Sequence, residues 1–302
     1  MFARRAFVAL AFVALAGCHT ASGGTAVPLD LDTMEEFAAS CEPWDTWSKP
    51  GPIFAVDDDV YGGTRYVGSC GITMLAVHTD DGVVLLDTGE AQFHDQLITN
   101  LGRAGIKPAD VKYILTSHEH YDHVGGLAAM QNATGARIVT SEPAKPVIES
   151  GKLATDDPQS GMHDPMEPAR VWQTVGDGET LDLDGKSFMA IAVPGHTPGA
   201  LAWQWETQIG SRRVTIVYAD SLSPVSGDAY KFSANPDYVA QYRAGLERLR
   251  AADCDILLTP HPSASKMLER AASGSLVGGM TCTEYADSIE QRLDKRLAEE
   301  AE

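Results

Sequence analysis

The chain has 302 residues, with 44% apolar and 22% charged side chains, a composition that supports a buried core and excludes a disordered, collagen-like or coiled-coil protein. Its 42 Asp and Glu outnumber 23 Lys and Arg, for a formal net charge of −19. A protein that grips nucleic-acid phosphates needs a basic footprint, so that class of partner is excluded too.

Reading in chain order, residues 1–17 combine two arginines, an unbroken apolar run over 6–16 and small residues before a break, the pattern of an export signal. Eleven apolar residues are too few to cross a bilayer, which takes about 20. Leu15-Ala16-Gly17-Cys18 resembles a bacterial lipobox, whose cysteine is acylated and becomes the first mature residue. Residues 18–35 then form a lipidated N-terminus and flexible tether, and 36–302 a single domain. The expected location is the periplasm of a Gram-negative bacterium, with membrane contact only through that anchor. Besides Cys18 there are Cys41, Cys70, Cys254 and Cys282. In an exported protein four cysteines indicate two disulfides, for which three connectivities exist.

Apolar runs at 73–78 and 83–87 flank Asp80-Asp81-Gly82 and read as a β-hairpin. Helical spacing over 93–104 stops at Gly105; 111–116 is a short strand, 124–130 a helix and 137–140 a strand. Residues 151–168 have no periodicity and read as a long surface loop, a candidate lid. Strand patterns return at 170–175, 187–193, 201–205, 214–218 and 256–259, with helices at 236–251 and 283–298. Two sheets packed face to face with helices outside fit this order.

The chemistry concentrates in Ser117-His118-Glu119-His120-Tyr121-Asp122-His123, directly after a strand. Alternation lets His118 and His120 point one way as the chain leaves the sheet, while Asp122 and His123 begin the turn into a helix. Three imidazoles and a carboxylate in six residues are a donor set suited to Zn²⁺. His196, in Pro194-Gly195-His196-Thr197-Pro198-Gly199, and His261, in Thr259-Pro260-His261-Pro262, each end another strand. Together they make two three-ligand sites with open positions. No G-x-S-x-G motif offers a serine nucleophile.

This combination resembles the metallo-β-lactamase superfamily, and in detail the third subclass of class B β-lactamases. The similarity is carried by YVGSCGI, LLDTG, SHEHYDHVGG, PGHTPG, YADSLS and CDILLTPHPSAS. The resemblance implies an α/β fold, the αββα sandwich. It assigns His118, His120 and His196 to a first zinc, and Asp122, His123 and His261 to a second, so two Zn²⁺ per chain. It makes Asp122, His118, His120 and His196 catalytic, gives the substrate carboxylate to Ser221 and Ser223, and supports disulfides 41–70 and 254–282. The implied activity is hydrolysis of the lactam amide of β-lactam antibiotics, carbapenems included, by a zinc-bound hydroxide, in a monomer whose partner is the small-molecule substrate. The first subclass has a cysteine ligand and a nearby lysine where Ser221 and Pro224 stand here, and the second replaces the first histidine by asparagine. A glyoxalase II-like thioesterase or a lactonase on the same metal frame is the alternative. Those relatives bridge the metals with an aspartate, and Asp220 falls close to that position. A lipid-anchored zinc-binding protein without catalysis is a third reading, disfavoured by the open coordination positions.

Overall fold

The computed structural model describes residues 38, 39, 41, 63–273 and 276–302. The export signal, Cys18 and the tether lie outside the described residues. The first half runs β1 (Thr64–Tyr66), β2 (Leu75–His78), β3 (Val83–Leu86), α1 (His94–Arg103), β4 (Val111–Leu115), α2 (Tyr121–Val124), α3 (Leu127–Thr134), β5 (Arg137–Ser141), α4 (Ala144–Ser150) and β6 (Val171–Val175). The second runs β7 (Thr180–Leu183), β8 (Lys186–Ala192), β9 (Leu201–Ile209), β10 (Arg212–Tyr218), α5 (Pro236–Arg250), β11 (Ile256–Leu258), α6 (Met267–Ala272) and α7 (Cys282–Glu300).

Six strands form one sheet in the order β1-β2-β3-β4-β5-β6, and five form the other in the order β11-β10-β9-β8-β7. Strand alternation sorts each sheet's side chains into two cores. Leu75, Val77, Val84 and Leu86 face Trp203, Trp205, Ile216 and Tyr218 across the space between the sheets. Their neighbours Ala76 and Leu85 turn outward onto Leu97 and Leu101 of α1 and Leu127 of α3. On the other outer face, Ala202 and Val217 pack against Leu246 and Leu249 of α5 and Ile289 of α7. Helix, sheet, sheet, helix is the expected αββα sandwich.

The 73–78/83–87 hairpin is antiparallel, pairing Leu75 with Leu86 and His78 with Val83. The expected helix over 124–130 is instead α2 and α3, divided at Gly125-Gly126. A Cβ on Gly125 would stand 2.5 Å from the Tyr121 carbonyl oxygen, and one on Gly126 2.8 Å from that of Thr88, so only glycine fits this close approach to the preceding chain. Helix α4 carries Pro146 and lacks a clear periodicity; burial of Ala144, Val147 and Ile148 holds it in place. Cys41–Cys70 and Cys254–Cys282 are bonded, closing sequence separations of 29 and 28. Both suit an oxidising compartment. Among the described residues no helix is long and apolar enough to cross a membrane.

Candidate metal centre

The histidines gather where strands of both sheets end. His118 and His120 leave β4, Asp122 and His123 sit on the single turn α2, His196 lies in the turn between β8 and β9, and His261 follows β11. The Pro194–Gly199 turn is held against its surroundings by two glycines. A Cβ on Gly195 would fall 2.3 Å from the Tyr242 ring, and one on Gly199 2.7 Å from Glu119 Oε2. Glu119 ties the two histidine segments together, accepting from Thr197 Oγ1 at 2.7 Å and from Gly199 N at 2.9 Å. Burial raises its pKa to about 7.

Two clusters result. In the first, His120 Nδ1 lies 3.2 Å from His196 Nε2, and the ligand atoms of His118, His120 and His196 all fall within 4.8 Å of one another. In the second, Asp122 Oδ2 is 3.1 Å from His123 Nε2 and 3.3 Å from His261 Nε2, and those two nitrogens are 3.3 Å apart. Zn–N bonds of about 2.0–2.1 Å in a tetrahedron put neighbouring ligand atoms about 3.3–3.4 Å apart. These spacings therefore fit the edges of a zinc site. His118 Nε2 is buried and has no hydrogen-bond partner, as expected of an atom that faces a metal.

The opposite nitrogen of each ring has an oxygen nearby, and for His120, His196 and His261 that oxygen is a hydrogen-bond partner that orients the imidazole. His118 Nδ1 lies 2.7 Å from Asp220 Oδ1, His120 Nε2 lies 3.1 Å from Asp157 Oδ1, and His123 Nδ1 lies 3.5 Å from Asp87 Oδ2. His196 Nδ1 reaches the Ser223 carbonyl at 2.8 Å, and His261 Nδ1 that of Gly71 at 3.2 Å. Asp220 Oδ2 accepts from Leu222 N at 2.9 Å, whereas its buried Oδ1 makes no hydrogen bond although it lies close to His118 Nδ1. Asp87, in a left-handed conformation (φ 59°) at the end of β3, also accepts from Ser117 N at 2.7 Å and Tyr218 Oη at 2.8 Å. Asp87 and Asp157 were not among the sequence candidates. Asp87 sits in LLDTG, where an acid ending an apolar strand was the available signal; Asp157 carried none.

Charge follows burial and neighbours. Burial, then His123 and His120, lowers the pKa of His118; burial, then His120 and His118, lowers that of His196. Burial opposes the Asp122 carboxylate, yet His123 and His261 hold its pKa well below the usual range. For His123 burial pulls down, but Asp122 and Asp87 push it up to about 10.

Above the two clusters opens a cleft of about 590 Å³. Ser221 and Ser223, which follow β10, line one wall. Ser221 is buried with an unpartnered hydroxyl, whereas Ser223 Oγ lies 3.2 Å from His196 Nδ1. The 151–168 loop supplies Gln159, Met162 and His163 as the roof, and His163 stacks on Tyr121 at 6.2 Å.

The sequence profile of the metallo-beta-lactamase superfamily matches residues 67–205. MIM-2 metallo-beta-lactamase superposes with a TM-score of 0.83 at 45% identity, covering 89% of this chain and 98% of that one. MEM-A1, a subclass B3 metallo-beta-lactamase from a soil metagenome library, superposes with a TM-score of 0.78 at 34% identity, covering 84% and 98%. A hydroxyacylglutathione hydrolase of Pseudomonas aeruginosa (strain LESB58) is 36% identical over 138 residues, 46% of this chain and 42% of that protein. The match thus spans well under half the length of this curated relative. The chain belongs to the metallo-β-lactamase superfamily and, within it, to subclass B3, the third subclass of the class B enzymes.

Proposed function

We propose that the protein is a dizinc β-lactamase that opens the lactam amide of β-lactam antibiotics, carbapenems among them. The observation that carries this reading is the set of five imidazoles and Asp122, gathered into two clusters under an open cleft with an oxygen close to the far nitrogen of each ring. His118, His120 and His196 would hold the first zinc, and Asp122, His123 and His261 the second. When bound, the ions supply Lewis-acid charge that polarises a carbonyl and lowers the pKa of water to about 7.

The chain's own residues do the rest. Asp122 is anionic and partly exposed at the cleft floor, where it accepts a proton-side hydrogen bond and orients the attacking water toward the lactam carbonyl. Ser221 offers its free hydroxyl to the substrate carboxylate, with Ser223 beside it. The 151–168 loop covers the bound ring and limits access of bulk water.

The export signal over 1–17, acylation of Cys18, a monomeric single domain over 36–302 and a periplasmic location on that anchor belong to the same proposal, supported by the two disulfides. Hydrolysis of a chromogenic cephalosporin and a carbapenem, with and without chelator, tests the function beside a hydroxyacylglutathione thioester. Chelator-sensitive turnover of both lactams is expected. Turnover of the thioester alone overturns the reading.

A further inference from the structure

We infer that Arg292 is the cation that recognises the carboxylate of the substrate, a specificity-determining residue supplied by the C-terminal helix. This rests on the β-lactamase reading, because it concerns what that cleft accepts.

Sequence distance hides Arg292 from the site: Lys231 is the nearest basic residue downstream of Ser223. The fold reverses that order. Helix α7 begins at a capping box in which Thr281 Oγ1 accepts from Glu284 N at 3.1 Å, and Cys282 is bonded to Cys254. Tyr285, on the first turns, then donates to the carbonyls of Ser221 at 2.6 Å and Asp220 at 3.0 Å. Residues two turns apart lie within about 20° of one another on a helix. Arg292 therefore projects from the face that already touches the Ser221 segment, and it lines the same cleft as Ser221, Ser223 and His261. Among the described residues it is the only Lys or Arg that does so.

Its charge is left uncommitted in a strongly acidic protein. Arg243 pairs with Glu290 and Asp294, Arg250 with Glu247, Asp287 and Glu290, and Arg296 with Glu300. Arg292 has no ion pair among the described residues. The helix register explains this, since its neighbours at three and four residues are Ser288, Ile289, Lys295 and Arg296, none of them acidic. The same cleft is lined by Ser221, whose buried hydroxyl has no partner. A guanidinium fork and a hydroxyl lining one cleft are matched to a carboxylate, whose oxygens accept from both.

The test uses full-length, zinc-loaded protein and Arg292→Ala, Arg292→Lys and Arg292→Glu, which alter an exposed side chain; circular dichroism and zinc content are checked first. For a cephalosporin free acid, KM should rise about 3- to 10-fold in Arg292→Ala with kcat changed less than about twofold, more in Arg292→Glu, and recover in part in Arg292→Lys. The methyl ester of the same cephalosporin should show no such change. Added salt should erode the wild-type preference for the acid, because the charge lies at an exposed rim. Equal effects on acid and ester overturn the assignment.

A second arm does not depend on turnover. Calorimetric binding of mercaptoacetic, 3-mercaptopropionic and 4-mercaptobutyric acids is compared with that of their neutral amides. For at least one chain length, the acid-to-amide affinity ratio should fall about 3- to 10-fold in Arg292→Ala. An unchanged ratio at every length overturns the role of Arg292. A wild type that binds these acids normally but hydrolyses no β-lactam overturns the function and leaves the carboxylate site standing.

Discussion

Asp157, on the loop that roofs the cleft, places Oδ1 3.1 Å and Oδ2 3.2 Å from Nε2 of His120, whose Nδ1 faces the first metal cluster. Loop and metal position are therefore joined by one side chain. Both partners are buried, so the hydrogen bond is shielded from water. Removal of such an outer partner costs about 10- to 100-fold in metal affinity. Asp157→Ala should weaken zinc at the first position by that order, measured by competition with a chromophoric chelator. Asp157→Asn retains an acceptor for His120 Nε2–H and should lose much less. Equal losses would mean that the loop's packing, not the hydrogen bond, sets the affinity.

The Cys254–Cys282 bond secures the start of α7, the helix that carries Tyr285 and Arg292. Closure of a loop with a separation of 28 residues constrains the unfolded chain by about 3–4 kcal/mol. The Cys254→Ser/Cys282→Ser double variant should melt roughly 6–16 °C lower by calorimetry. Its KM for a cephalosporin should rise at temperatures well below its melting point, as α7 loosens from the Ser221 segment. A lower Tm with wild-type KM would show that the Tyr285 hydrogen bonds alone hold the register.

How much of this was legible in the sequence follows from the range of the interactions. The ligand histidines could be read because all but His123, which sits on the turn just after His120, follow an apolar strand, and strand ends of one sandwich meet at one edge. The seven-residue run from Ser117 to His123 carries four ligands without any tertiary information. Asp157 could not be read, because it lies in an aperiodic loop and acquires meaning only where that loop folds back over His120. Arg292 was hidden for the same reason: on an amphipathic, highly charged helix it looks like its solvated neighbours. Among the elements, β7 reads Thr-Leu-Asp-Leu and forms by pairing with β8, a non-local hydrogen-bonding gain that four residues do not advertise.

The two metal positions should differ in their response to pH. Burial and neighbouring imidazoles keep His118 and His196 neutral in the metal-free protein, so zinc displaces no proton from either. At the second position burial is outweighed by Asp122 and Asp87, and the His123 pKa stands at about 10. Below that pH His123 carries a proton that zinc must displace. Affinity at the second position therefore falls as pH falls, by about tenfold per unit, or about 100-fold from pH 8 to pH 6. Zinc-buffered titrations should show the second equivalent lost first in mild acid. Calorimetry in two buffers of different ionisation enthalpy should report more proton release by that equivalent than by the first, to which His118 and His196 contribute none. Equal proton release at both positions would contradict the charge assignment.

Ser221 and Ser223 should contribute unequally to substrate binding, although they follow β10 as an apparent pair. Ser221 Oγ is buried in the cleft wall without a hydrogen-bond partner, and a buried hydroxyl left unsatisfied costs free energy that an arriving carboxylate recovers. Ser223 Oγ already lies 3.2 Å from His196 Nδ1, and that nitrogen is held at 2.8 Å by the Ser223 carbonyl, which alanine retains. Loss of a neutral hydrogen bond is worth about 0.5–1.5 kcal/mol, so Ser221→Ala should raise KM roughly 2- to 12-fold. Ser223→Ala should change it by less than about threefold. The carboxylate is held in ground and transition states alike, so kcat should stay near wild type in both. Steady-state kinetics on a penicillin, a cephalosporin and a carbapenem check this, with zinc content measured for each variant. A larger KM effect from Ser223→Ala would place the carboxylate nearer His196 than Arg292. Loss of zinc in that variant would mean instead that its hydroxyl, and not only its carbonyl, holds the imidazole in position.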